Sequence, residues 1–324
     1  MTTTTSTTST TAPVLEVRGG GVTFRDADRN EFRAIDGVDL QLRRGEILGL
    51  VGESGCGKST TARVLMGLQR LTSGQVLLDG APVTPGRRRS LAPRVQAIFQ
   101  NPAGSFNPRR SLLDSVAEPL RVWKQGNAAE RHERALEELA RVGISPQMAQ
   151  RRPSEVSGGQ CQRAAIARAT VLRPEVLICD EPVSALDVSI QAQILELLAE
   201  LREEQGLAML FISHDLSVVA TLCDRTAVMY AGTVVEQGDT PAVTDRPRHP
   251  YTAILHDSVP TLVPSAPTAT GLRMRPATGT VDGRAEPGCR FAGLCPLVQD
   301  DCRAARPELQ PGAHTAACLH PLGA

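Results

Sequence analysis

The chain has 324 residues, with 35 acidic and 35 basic side chains and a formal net charge of zero. That balance gives no electrostatic footprint for nucleic acid, and the length allows one large domain or two. No apolar run approaches the ~18 residues that cross a bilayer, so any crossing belongs to other chains.

The first stretch, residues 1–12, reads MTTTTSTTSTTA. It is polar and of low complexity, which predicts a disordered tail. It lacks the charged and apolar regions of a secretory signal. The chain therefore reads as cytosolic. There, eight cysteines argue against a disulfide framework and leave packing, metal or redox roles.

Short β-like runs occupy Val14–Val17, Val22–Phe24 and Val38–Leu42, ahead of a turn at Gly45–Glu46. The run 47–51, ILGLV, is short and apolar, as a buried strand is. It leads into GESGCGKST at 52–60, which fits G-x-x-x-x-G-K-[ST] with Gly52, Gly57, Lys58 and Ser59 at the fixed positions. Residues 60–68 can form the helix that this loop needs behind it. Glycines let successive N–H groups turn inward without a Cβ, and with the helix N-terminus they make a nest for phosphate. Glu53, Ser54, Gly55, Cys56 and Thr60 complete the cradle. Lys58 adds a charge for the β- and γ-phosphates, and the Ser59 hydroxyl a ligand for Mg²⁺. Only Lys58 and Lys124 are lysines, beside 33 arginines. A slim cation suits a phosphate nest better than a planar one.

Val76–Leu78 with an Asp79–Gly80 turn adds a further strand, so an antiparallel layer beside a parallel core is expected. Val95–Phe99 is the next strand and ends at Gln100. The stretch 101–108 is rich in turn residues. From Leu112 to Gly143 the pattern is helical, with Ala135, Leu136, Leu139 and Val142 on one face. Residues 101–165 thus read as a helical insertion. Ser157, Gly158, Gly159 and Gln160 open a helix over Cys161–Leu172, with Ser157 as its cap.

Val176–Cys179 is a second buried strand and ends in Asp180–Glu181, where α/β sheets place chemistry. Asp180 is expected to reach Mg²⁺, through water, and Glu181 to orient and polarise the attacking water. Ser184–Asp187 leads into a helix whose stripe is Ile190, Ile194, Leu197, Leu198 and Leu201, stopped by Gly206. Ala208–Ile212 is a third core strand, and His214 follows its carboxyl end. Val228–Tyr230 and Val234–Val235 read as closing strands. Past Thr240 prolines multiply, which predicts a linker or appendage with little continuous sheet. The expected division is a tail over 1–12, an α/β phosphate-binding domain over 13–245, and an extension over 246–324.

Taken together, Gly52–Thr60, Gln100, Ser157–Gln160, Val176–Glu181, Ser184–Asp187 and His214 resemble, in order and spacing, the ATPase subunits of ABC transporters. The resemblance covers about 14–260. It implies a P-loop core with an antiparallel β subdomain and a helical subdomain carrying the signature SGGQ. It also implies that two such subunits sandwich two ATP molecules, each between one chain's phosphate loop and the other's signature, with Asp187 near the contact. Glu181 would be the general base, His214 would hold the γ-phosphate end, and Gln100 would ligate Mg²⁺ and relay closure. Phe24 sits where an aromatic stacks on adenine, with a core role as the alternative.

Residues 99–110, 178–193, 230–232 and 249–252 are further similar to the dipeptide/oligopeptide importer subgroup, which nickel importers share. That resemblance implies cytoplasmic-side attachment to two membrane permeases, a second and different ATPase, and an extracytoplasmic binding protein. A soluble, non-transport ABC ATPase is the rival reading. Two departures stand out: Val156 where Leu is usual, and Cys161 where Gln or Arg is usual.

Cys289, Cys295, Cys302 and Cys318 fall within the last 36 residues, on a segment poor in core residues. Their spacing, C-x5-C-x6-C-x15-C, is not a common zinc pattern. In peptide-importer ATPases that this chain resembles, tail cysteines can hold a [4Fe–4S] cluster. Four thiolates suit such a cluster or tetrahedral Zn²⁺, and unligated thiols remain open.

Overall fold

The computed structural model describes residues 12–25, 31–84, 86, 88–184, 186–257, 271–276 and 287–323. The Thr-rich stretch expected to be disordered lies outside these residues apart from Ala12.

Two sheets share the core. The smaller is antiparallel, in the order β2-β1-β4-β5. It is built from β1 (Pro13–Arg25), β2 (Glu31–Arg43), β4 (Ser73–Leu78) and β5 (Ala81–Pro82). The three short runs read at its start are in fact two strands of 13 residues each. Their pairing continues through the glycines at 19–21 and 37 by shifting register rather than ending. Bulges of this kind bend and twist a ribbon, which lets it curl over the second sheet.

The larger sheet has the order β11-β10-β9-β3-β8-β7-β6. It contains β3 (Ile47–Val51), β6 (Val95–Ile98), β7 (Val176–Asp180), β8 (Ala208–Ser213), β9 (Arg225–Tyr230), β10 (Thr233–Asp239) and β11 (His314–Ala316). The five strands from β6 to β9 run parallel. β3 and β8 are buried at every residue, as strands covered on both faces must be. The carboxyl ends of β3, β7 and β8 therefore point the same way, and the loops that follow them share one edge.

Helix α1 (Lys58–Leu65) follows β3, and the short α2 (Arg88–Leu91) precedes β6. The insertion holds α3 (Leu112–Val122), α4 (Ala128–Arg141), α5 (Pro146–Ala149) and α6 (Gly158–Thr170). Each starts where a polar side chain can take an orphan N–H. Ser111 accepts from Asp114, Asn127 forms a capping box with Glu130, Ser145 accepts from Met148, and Ser157 forms a box with Gln160. The insertion's apolar faces meet in one core with Leu112, Val116, Leu139 and Ile166, all fully buried.

Helix α7 (Val188–Gln205) buries Ile194, Leu197, Leu198 and Leu201 and ends at Gly206 in a left-handed cap. Ile190, the first residue of the expected stripe, is only half-buried. Helices α8 (Leu216–Leu222) and α9 (Thr240–Asp245) flank the closing strands.

The extension is less separate than its prolines suggest. After α10 (Pro250–Asp257) and α11 (Asp300–Ala304), its strand β11 pairs with β10 and becomes the edge of the main sheet. The fully buried Glu236 carboxylate organises this join. It accepts from the Arg248 N–H at 2.7 Å and the His249 N–H at 2.8 Å, and it pairs with His314 Nε2 at 2.7 Å. Asp36 on β2 is the second anchor, bound by Arg290 and by Arg306 at 2.9 Å. Burial alone would raise the Asp36 carboxyl, but the Arg306 hydrogen bond and the Arg306, Arg290 and Arg33 charges hold it below its usual value.

Candidate functional site

The loop between β3 and α1 is shaped by glycines that no other residue can replace without displacing backbone. At Gly57, φ is 115° and an added Cβ would lie 2.7 Å from the Ala34 carbonyl oxygen. At Gly52, φ is 153° and a Cβ would lie 2.1 Å from that of Met229. The loop is thus pressed against β2 and β9. Lys58, 5% exposed, folds back and donates to the Gly52 and Glu53 carbonyls at 2.6 and 2.9 Å. Cys56 is buried under the loop, and its carbonyl accepts from the Gly232 N–H at 2.8 Å.

The ends of β7 and β8 supply the rest. Ser59 Oγ donates to Asp180 Oδ1 at 3.3 Å. Burial, the largest cause, pushes the Asp180 carboxyl up. The neighbouring Glu181 charge adds to this, while the Ser59 bond and the Lys58 charge oppose it. A divalent cation here would be welcomed by both oxygens and would reverse that shift.

Glu181 adopts φ 48°, a left-handed backbone that costs a non-glycine residue about 1–3 kcal/mol. That twist turns its carboxylate toward two other strand ends. Gln100 Nε2 donates to Glu181 Oε2 at 2.9 Å, and His214 Nδ1 lies 3.5 Å from the same oxygen. One carboxylate, one amide and one imidazole therefore meet beside the phosphate loop, as general-base chemistry on a water requires.

These groups line one cavity of about 820 Å³. Its polar wall includes Glu53, Ser54, Lys58, Ser59, Thr60, Gln100, Glu181 and His214, with Gly55 and Gly57 between them. Phe24 lies on its apolar side. The sequence reading missed five neighbours, the small Ala34 among them. Phe32, Leu255 and Met274 also line the cavity, and the Tyr251 hydroxyl accepts from the Glu53 N–H at 3.0 Å. Phe32 was detectable as a second aromatic across the hairpin from Phe24. Leu255, Met274 and Tyr251 lie some 200 residues from the loop in sequence, and no local pattern marks them.

Ser157, Gly158, Gly159, Gln160 and Asp187 do not line this cavity. Ser157, Gly158 and Asp187 are solvent-exposed, and Ser157 Oγ and Gln160 Oε1 are engaged in the reciprocal cap of α6. Gly159 packs close on α7, where a Cβ would meet Ile190 at 2.7 Å. The α6 terminus thus presents free backbone to solvent rather than to its own phosphate loop. Cys161, which stands where Gln or Arg is usual, is 1% exposed inside the helical core.

The tail cysteines converge. Cys289, Cys295, Cys302 and Cys318 line one small cavity with His249 and His320. Cys289 N–H donates to the Cys302 carbonyl at 2.8 Å, which clamps two of them together. Burial pushes the Cys318 thiol up to about 11, and the other three sulfurs contribute to the rise. Burial likewise raises Cys295, with Cys289 and Cys302 adding to it. Thiols that raise one another are a donor set that a cation would deprotonate. A single tetrahedral zinc needs its sulfurs roughly 3.8 Å apart, from Zn–S near 2.3 Å. Among the described residues, the one group of possible ligand atoms all within 4.8 Å is Asp301, Cys302 and His320. Cys179 and Cys223 are buried elsewhere, and burial raises both thiols.

A strand–glycine loop–helix beside an acidic strand end, on a parallel sheet capped by an antiparallel one, defines the P-loop nucleoside-triphosphatase class. The comparisons narrow that class. The ABC transporter family model matches residues 35–184, and the model of the oligopeptide/dipeptide transporter C-terminal region matches 235–302. The oligopeptide transport ATP-binding protein OppF of Escherichia coli is 44% identical over 295 residues, 89% of this chain and 88% of that protein. AppF of Bacillus subtilis is 44% identical over 296 residues, 89% of each chain. The solved dimer of the ATP-binding cassette MJ0796, in a post-hydrolysis state with ADP and Pi, aligns at TM-score 0.64 and 28% identity. It covers 70% of this chain and 98% of its own. The chain belongs to the ABC transporter family and is an ATP hydrolase of that family.

Proposed function

We propose that this chain is the ATP-hydrolysing subunit of an importer that takes up oligopeptides or dipeptides across the cytoplasmic membrane. The observation that carries the reading is the single cavity in which the phosphate loop meets Glu181, Gln100 and His214. The C-terminal region shared with oligopeptide transporters, together with the likeness to OppF and AppF, supports a peptide cargo over nickel.

The residues divide the work by their chemistry. The loop from Gly52 to Thr60 holds the phosphates, with Lys58 released from its carbonyls to the β- and γ-oxygens. Ser59, Asp180 and Gln100 would hold Mg²⁺, which would supply positive charge to the phosphates when bound. Glu181 takes the proton from the attacking water while His214 and Gln100 fix its carboxylate. The exposed Ser157–Gln160 terminus and Asp187 serve the partner's nucleotide, because their own cavity lies elsewhere. ATP then fills a gap between two chains, and hydrolysis opens it. The partner is a second, different ATPase.

No helix among the described residues is long and apolar enough to cross a membrane. Two permease subunits therefore do the crossing, with this chain on their cytoplasmic face and a binding protein delivering cargo outside. A groove of about 510 Å³ lined by Gln96, Asn107, Pro119, Val122 and Trp123 offers the permease a partly apolar seat on the helical insertion. The four tail cysteines would hold a [4Fe–4S] cluster, whose four thiolate ligands need not all reach one ion as they must for zinc.

Reconstitution of the complex in vesicles tests the function. ATP-driven peptide uptake that vanishes in Lys58→Ala supports it, and uptake indifferent to ATP refutes it. Iron and acid-labile sulfide in anaerobically purified protein support the cluster; zinc instead, or no metal, refutes it.

A further inference from the structure

One wall of the nucleotide cavity comes from outside the cassette. Its apolar lining consists of Phe24, Phe32, Ala34, Leu255 and Met274. Phe24 and Phe32 are register partners at the tip of the β1–β2 hairpin, 40% and 44% exposed. Two adjacent, half-open phenylalanines offer a flat face that an aromatic ligand can cover. Leu255 comes from α10 and Met274 from the segment 271–276, both in the C-terminal extension. Both are partly buried and pack against the main core, so neither is a loose side chain. Arg275 N–H donates to the Leu294 carbonyl at 2.9 Å, which fixes the Met274 segment to the cysteine-bearing turn. On the α10 side, Tyr251 is fully buried and bonded to the phosphate loop.

We propose that Leu255 and Met274 of the C-terminal extension close the base end of this site, so that the adenine ring of ATP seated on the hairpin phenylalanines also packs against them. This deepens the reading of the cavity as an ATP site and rests on it. The charged end of the nucleotide is held by the loop, Lys58 and the cation. The base needs flat, dry walls, and these four side chains are the cavity's large apolar groups. A phenylalanine face stacks any base, and a methionine thioether is polarisable and adapts to an aromatic edge. The extension therefore sets affinity for the base while leaving the phosphate chemistry to the cassette.

The test separates base from phosphates. Mg-ATP and Mg-tripolyphosphate, which has neither base nor sugar, are titrated into full-length wild type, Met274→Ser, Leu255→Ser and Met274→Leu by calorimetry. The two serine variants are expected to bind ATP about five- to tenfold more weakly, with tripolyphosphate affinity unchanged within about twofold. Met274→Leu keeps the apolar contact and is expected to restore ATP affinity. In turnover assays the serine variants raise KM for ATP and leave kcat in place. Serine variants that bind ATP like wild type overturn the proposal. So does equal loss of ATP and tripolyphosphate, or failure of Met274→Leu to recover. Wild type that binds neither ligand would instead contradict the ATP-site reading itself.

Discussion

Replacing Tyr251 by phenylalanine isolates a hydrogen bond that ties the extension to the phosphate loop. The tyrosine is fully buried, and its hydroxyl accepts the Glu53 N–H at 3.0 Å. Tyr251→Phe keeps the ring and its contacts with Tyr230 at 4.7 Å and Phe291 at 5.5 Å. Only the acceptor is lost, and the Glu53 N–H is left without it inside the protein. A part-buried orphan donor costs about 1–3 kcal/mol. Where the loop relaxes to find water, the cost falls on nucleotide binding, because the relaxed loop no longer has the phosphate-binding shape. About 1.4 kcal/mol corresponds to a tenfold rise in the dissociation constant for Mg-ATP. Tyr251→Ala also empties the aromatic cluster and is expected to cost a further ~3 kcal/mol of fold stability. Calorimetric titration of ATP, alongside thermal melts, distinguishes the two variants. A Tyr251→Phe protein with wild-type ATP affinity and wild-type melting would show that this bond does not shape the loop.

Other consequences follow from the same structure. Gly57→Ala places a Cβ against the Ala34 carbonyl at a φ of 115°, so ATP binding should be lost and the fold destabilised by about 2 kcal/mol or more, read from binding and denaturant curves. Glu175 is drawn down to about 2, first by its hydrogen bond to Arg94 and then, against burial, by Arg44. Because this carboxyl is depressed in the folded state, its contribution is present above about pH 4.5 and is lost as pH falls toward 2. The group is partly exposed, so the stability gap between wild type and Glu175→Gln should be about 1 kcal/mol at neutral pH and close on acidification. Asp36 behaves in the same direction: acid below about pH 4 should loosen the extension from β2 first, seen as faster amide exchange across 287–306.

The groups of the candidate site were legible in the sequence because their pattern is local. A glycine-rich turn, a lysine and an acidic strand end declare themselves within a few residues, and the sheet brings their strands side by side. The strand lengths were less legible. The glycines at 19–21 and 37 read as breaks, but the paired strand supplies hydrogen bonds that carry the ribbon through them as bulges. The extension was the hardest part. Strand β11 is three residues long and exists only because β10 offers it an edge and Glu236 binds His314. Leu255, Met274 and Tyr251 look like ordinary appendage residues until the fold returns them to the phosphate loop. Cys161 shows the opposite limit: it reads as a departure just past the SGGQ run, and the structure places it inward on the face that α6 buries.

Turnover and bound nucleotide in a Glu181→Gln complex test the central claim most directly. The substitution keeps the shape of the side chain and removes its basicity. Hydrolysis should fall by about a thousandfold, within the range general-base catalysis supplies, while unhydrolysed ATP remains bound. Wild-type hydrolysis by that variant would mean that the group meeting Gln100 and His214 is not the base, and the account of this site would fail.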